Sequence, residues 1–103
     1  MRKLFLIAPI FLTGLLYATE TAFTYQELIQ QASRNIRELR FEKAKEKLSI
    51  AKSVQTPEYR FYFLMGEAEL GLGYKEDALL NFKKSLELEK NQPDIYLKCA
   101  DIS

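Results

Sequence analysis

A chain of 103 residues with 28% charged side chains, four glycines and three prolines has room for one small folded domain, and its composition does not favour disorder. Fifteen basic against fourteen acidic residues leave a formal charge of +1, too little for the basic field that nucleic acid requires. Histidine is absent and cysteine occurs once, which excludes the usual catalytic triads, thiolate zinc sites and an internal disulfide.

The first element is a leader. Arg2 and Lys3 precede an apolar run from Leu4 to Tyr17 that closes on Ala18, the layout of a secretory signal peptide. A helix that spans a bilayer needs about 20 apolar residues, and this run is shorter and contains Pro9. The expectation is therefore a signal peptide over 1–18, cleaved near Ala18, and a mature domain over 19–103 with no stable membrane span. Loss of Arg2 and Lys3 would leave thirteen basic against fourteen acidic residues. No cysteine follows the run, so a lipid anchor is not expected, and the style of the leader points to the bacterial periplasm or to secretion.

Five helices follow in order. Thr24 with Glu27 forms a capping box that opens a helix from Tyr25 to about Glu38. A second runs from about Phe41 to Ser53, after a turn that holds only Leu39 and Arg40 and no glycine. Thr56 and Pro57 read as an N-cap and a first-turn proline for a third helix that ends near Leu70. Gly71 to Gly73 lets the chain reverse into a fourth, from about Lys75 to Glu89. Gln92 and Pro93 repeat the cap-and-proline pattern for a fifth that runs to Ser103. Apolar residues recur at helical spacing in Tyr62, Met65, Leu70 and in Ala78, Leu79, Phe82, Leu86, so each of these helices has one face to bury. Alternating charges such as Glu42-Lys43-Ala44-Lys45-Glu46-Lys47 read as a solvated face.

These helices repeat. Ala78 lies thirty-four positions after Ala44, and the same step joins Ala32, Gly66 and Ala100; Leu28, Tyr62 and Tyr96; Leu48 and Phe82. A fixed period of this size marks a stacked repeat. Gly66, Ala78, Phe82 and Ser85, flanked by Met65 and Leu86, resemble the tetratricopeptide repeat: a small residue in the first helix, an alanine early in the second, an aromatic four later and a small residue three after that. Leu28, Ala32, Phe41, Ala44, Leu48 and Ala51 look like an earlier copy, and Tyr96, Cys99 and Ala100 like the start of a third. The chain departs from the pattern at Leu28 and at Lys90, where an aromatic and a final proline are usual. The resemblance implies an all-α fold of antiparallel helical hairpins stacked as a short right-handed solenoid, with repeats at about 25–58 and 59–92 and a partial one at 93–103.

It also implies a function. In that family the first helix of each repeat lines a concave groove that holds a protein or peptide partner. Carried over position by position, the groove residues are Gln26, Ile29, Ser33 and Arg37, then Arg60, Phe63 and Glu67, then Leu97. Ile29, Phe63 and Leu97 make this groove apolar, so the expected partner is an apolar or amphipathic segment. Phe63 is its anchor, pointing away from the hairpin core, and Arg37, Arg60 and Glu67 form the rim. The alternative is an assembly component of an envelope complex that self-stacks, or a homo-oligomer formed through the last helix, which would expose Ile95, Tyr96 or Leu97. Paired carboxylates such as Glu67 and Glu69 fall on different helix faces, so no catalytic residue, metal site or cofactor is expected and the chain reads as a non-enzyme. Cys99 takes the repeat position of Met65 and reads as a packing residue, and Gln31, at the same position of the first copy, as a cap.

Overall fold

A computed structural model describes residues 23–102, so the expected signal peptide over 1–18 lies outside the described residues. The described chain is all α: α1 Tyr25–Arg37, α2 Phe41–Val54, α3 Tyr59–Gly71, α4 Lys75–Leu88 and α5 Pro93–Ile102, with no strand among these residues. The thirty-four-residue step of the sequence returns in the backbone, because α1, α3 and α5 start at 25, 59 and 93, and α2 and α4 at 41 and 75. Helices one and two form one packed pair and helices three and four another, with α3 also against α1 and α2, and α5 against α4.

Local chemistry sets the helix ends. Thr24 and Glu27 close their capping box in both directions, so two otherwise orphaned N–H groups are satisfied at the start of α1. The expected cap at Thr56 and Pro57 is not the one used. Both precede the helix, and Glu58 is the N-cap of α3, its carboxylate accepting from the Arg60 N–H at 3.3 Å. The Tyr25 hydroxyl holds Glu58 in place, donating to its Oε1 at 3.2 Å and accepting from its backbone N–H at 3.1 Å. Tyr25 is buried, and burial pushes its phenol above the ordinary range. Gln92 likewise does more than precede α5. Its amide donates to the carbonyl of Glu89 at 2.6 Å, which α4 leaves without a helical partner, and adds a second bond at 3.2 Å to the Ser85 carbonyl, which already accepts from the Glu89 N–H. The two tight turns match as well: Leu39 has φ 61° and Gly73, thirty-four residues on, φ 86°.

The core lies in two clusters. The first joins Tyr25, Leu28, Ile29 and Ala32 of α1 with Ala44, Leu48 and Ala51 of α2 and with Phe61, Leu64 and Ala68 of α3. The second joins Ala78 and Phe82 of α4 with Ile95 of α5. Helix α3 is the central element because it has two apolar faces: Phe61, Leu64 and Ala68 meet the first hairpin, while Gly66 lies under the Phe82 ring. A Cβ on Gly66 would come within 2.7 Å of that ring, so only glycine allows the approach. The positions of α1 that correspond to Phe61, Leu64 and Ala68 hold Glu27, Gln30 and Arg34, all exposed. Those three, more than half-buried Gln31, form the polar outer face of the first hairpin. Ile95 is fully buried, against the expectation of exposure, whereas Tyr96 and Leu97 remain 53% and 67% exposed. Among the described residues no helix is long and apolar enough to cross a membrane.

Candidate functional site

The first helix of each unit contributes to one pit with a volume of about 500 Å³. Ile29, Gln30 and Ser33 come from α1, Tyr59, Arg60, Phe63 and Leu64 from α3, Asn91 and Gln92 from the connection after α4, and Pro93, Asp94 and Ile95 from the start of α5. These side chains converge because helices starting thirty-four residues apart present the same face to the same side. The floor is apolar, with Ile29, Leu64 and Ile95 buried and Phe63 half-buried, and the lip is polar, with Gln30, Arg60, Asn91 and Asp94 exposed. A cleft of this volume, with an apolar floor and a few polar groups at its mouth, can take an apolar group and orient it through the polar ones.

Of the residues read from the sequence, the pit brings together Ile29, Ser33, Arg60 and Phe63. Gln26 lies just outside, where its Oε1 accepts from Arg60 Nη2 at 3.1 Å. Arg37 donates from Nη1 to Ser33 Oγ at 3.2 Å and does not line the pit, and neither does half-buried Glu67. Leu97 is exposed and does not line the pit, where Ile95 stands instead. Phe63 does not point clear of the hairpin core: it packs against both clusters, with its ring centroid 6.1 Å from that of Phe82. Ile29, 4% exposed, is likewise core as well as floor. The lip residues Asn91 and Asp94 were missed, although Asp94 stands thirty-four after Arg60 and sixty-eight after Gln26, a relation the period makes visible.

A second polar cluster lies away from the pit. Glu69 of α3 is 7% exposed and accepts a hydrogen bond from Asn81 Nδ2 of α4, while Lys45 Nζ of α2 stands 3.9 Å from its other oxygen. Lys45 also lies 5.4 Å from the centroid of the Tyr74 ring. Burial pushes the Glu69 carboxyl above its usual range, with Asp77 adding to the shift and Asn81 and Lys45 opposing it. Every fully buried side-chain N or O among the described residues has a partner, so this cluster is complete within the chain. Cys99 is half-buried against the second core, and burial raises its thiol pKa while Lys83 opposes the rise. Comparison of the chain with protein-family models gives no match, and comparisons with curated proteins and with solved structures give none either.

Proposed function

We propose that this chain is an exported protein-interaction module of the tetratricopeptide kind, stacked as a short right-handed solenoid, which holds an apolar or amphipathic partner segment against α1, α3 and the start of α5. The observation that carries the reading is the pit of about 500 Å³, whose floor of Ile29, Phe63, Leu64 and Ile95 is assembled from all three of those helices. A partner side chain seated there would displace water from apolar surface, the main driving force of such association. No nucleic acid, metal, cofactor or catalytic step enters this reading.

Phe63→Ala is a poor test, because the ring also supports both cores. Gln30→Trp is better. Gln30 is exposed on the lip, so an indole there would obstruct the pit without replacing a side chain of either core. The exported protein should capture a partner that Gln30→Trp loses at an unchanged melting temperature. Equal capture by both would refute the groove. Export is tested separately by the intact mass of the mature chain, expected to start near Thr19; the full-length chain embedded in the inner membrane would reverse it.

One observation favours the second reading, assembly through α5. Tyr96, Leu97 and Ala100 are exposed, yet they stand thirty-four residues after Tyr62, Phe63 and Gly66, which are covered or half-covered. Self-association through this face should appear in sedimentation velocity and vanish in Leu97→Glu. A monomer at all concentrations excludes it.

A further inference from the structure

Gln26, Arg60 and Asp94 occupy one position of the repeat and form a row across the three helices beside the pit. Arg60 is already engaged. Its Nε stands 3.4 Å from Glu58 Oε2, and its Nη2 donates to Gln26. Asp94 is not: among the described residues the ion pairs are Glu38–Arg40, Lys45–Glu69, Glu58–Arg60 and Lys84–Glu87, and none includes it. Lys98, one turn further along α5, makes no ion pair with it either. The lip of the pit therefore carries one cation answered by the Glu58 carboxylate and one carboxylate, in the first turn of α5, that faces water without an ion-pair partner.

Left in water, that carboxylate costs nothing. When an apolar side chain fills the floor beside it, water leaves the lip, and an unpaired carboxylate stripped of solvent is penalised. A cation on the incoming chain would offset the penalty, and an anion would add repulsion to it. From this geometry, which rests on the groove reading proposed above, we infer that the partner of the pit is a protein segment whose apolar anchor is flanked by a lysine or arginine, with that cation facing Asp94. Acidic neighbours are rejected at the same point. The specificity of the groove then lies in Asp94 rather than in the basic residues of its rim.

Two synthetic peptides, acetylated and amidated, test the assignment: Ala-Leu-Phe-Lys-Ala and Ala-Leu-Phe-Glu-Ala, titrated into the ¹⁵N-labelled protein at low salt. The lysine peptide should shift the amides of Ser33, Phe63 and Ile95 and bind at least about threefold more tightly than the glutamate peptide. Asp94→Asn should remove the preference, while Asp101→Asn, an exposed acid further along α5, should keep it. Raising the salt to about 0.5 M NaCl should shrink the preference in the unaltered protein, a readout that does not depend on any variant folding. Equal binding of both peptides, or a preference that survives Asp94→Asn, overturns the role of Asp94 and leaves the groove standing. If neither peptide moves the residues of the pit, the groove falls as well.

Discussion

Ala32 and Leu48 fill the core of the first hairpin, where the second has Gly66 and Phe82 at the same repeat positions. The backbone at both pairs is the same to the residue in its helix boundaries. The larger ring in the second hairpin is accommodated by deleting a methyl group opposite it. The outer faces differ in another way: Glu27, Gln30 and Arg34 are exposed on α1, while Phe61, Leu64 and Ala68 of α3 are buried against the first hairpin. The period thus lives in the backbone and in helix contacts, and the residue at each position answers to the neighbours of its own unit.

The strongest way to break the comparison is to empty one of the two cores. Phe82 is fully buried, so Phe82→Ala should cost about 3–5 kcal/mol, at or beyond the limit of what a small domain can lose. Leu48→Ala, equally buried but smaller, should cost about 2–5 kcal/mol. Urea denaturation measures both. If Phe82→Ala proved the milder of the two, the second hairpin would not depend on its ring.

Sharper is an exchange of one pair for the other. Gly66→Ala drives a methyl into the Phe82 ring and should cost about 1–3 kcal/mol. Phe82→Leu opens space, so Gly66→Ala with Phe82→Leu rebuilds the first hairpin's pair and should recover much of that loss. The two changes must then be non-additive, as expected of residues in contact. Strict additivity in a double-mutant cycle would mean that the fit seen at Gly66 is not what requires glycine there.

Glu69 distinguishes the hairpins differently, because it ties the second to the first through Lys45, whereas the same repeat position of the first hairpin holds half-buried, uncharged Asn35. Burial raises its folded pKa above that of the unfolded chain, so the folded state holds the proton more tightly. Its contribution to stability is then full below the unfolded carboxylate range and is lost as the pH rises through the folded pKa. Glu69→Gln keeps an acceptor for Asn81 without the charge. The variant should be the more stable at neutral pH, and its advantage should fade on acidification. Melting curves over a pH series give the difference, and a constant gap between the two proteins would show that Glu69 does not titrate as its burial requires.

The sequence made the helices readable because their signs are local: the Thr24–Glu27 box, Gly73 after α3, and apolar positions at a step of thirty-four. What it hid depends on partners far along the chain. Glu58 caps α3 with the help of Tyr25, thirty-three residues away, so Thr56 and Pro57 looked like the better start. Gln92 resembles a cap for the helix that follows it, yet its amide turns back to Ser85 and Glu89. The burial of Glu69 needs Asn81 and Lys45, which no pattern around it announces. The pit shows both sides: its apolar floor follows from the repeat through Ile29 and Phe63, and Asp94 stands at the same step from Arg60, whereas Asn91 belongs to the connection between α4 and α5, whose path the packing of α5 on α4 decides.

The smallest effect is expected at the two turns, where the hairpins use different residues for one conformation. Leu39 holds φ 61°, a left-handed backbone in which its Cβ crowds the following carbonyl, and the side chain is 75% exposed, so packing does not compensate. Gly73 adopts φ 86° without that penalty, and no atom lies within 4 Å of where a Cβ would stand. Leu39→Gly should therefore stabilise the protein by about 1 kcal/mol, the relief of strain being partly offset by the greater freedom of glycine in the unfolded chain. Gly73→Leu should destabilise by a similar amount, since it introduces the strain and no clash. Thermal melts of the two single variants and of the double exchange decide the matter: opposite shifts that cancel in the double would make the turns interchangeable, whereas a loss in Leu39→Gly would mean that the Leu39 side chain holds the first turn in place.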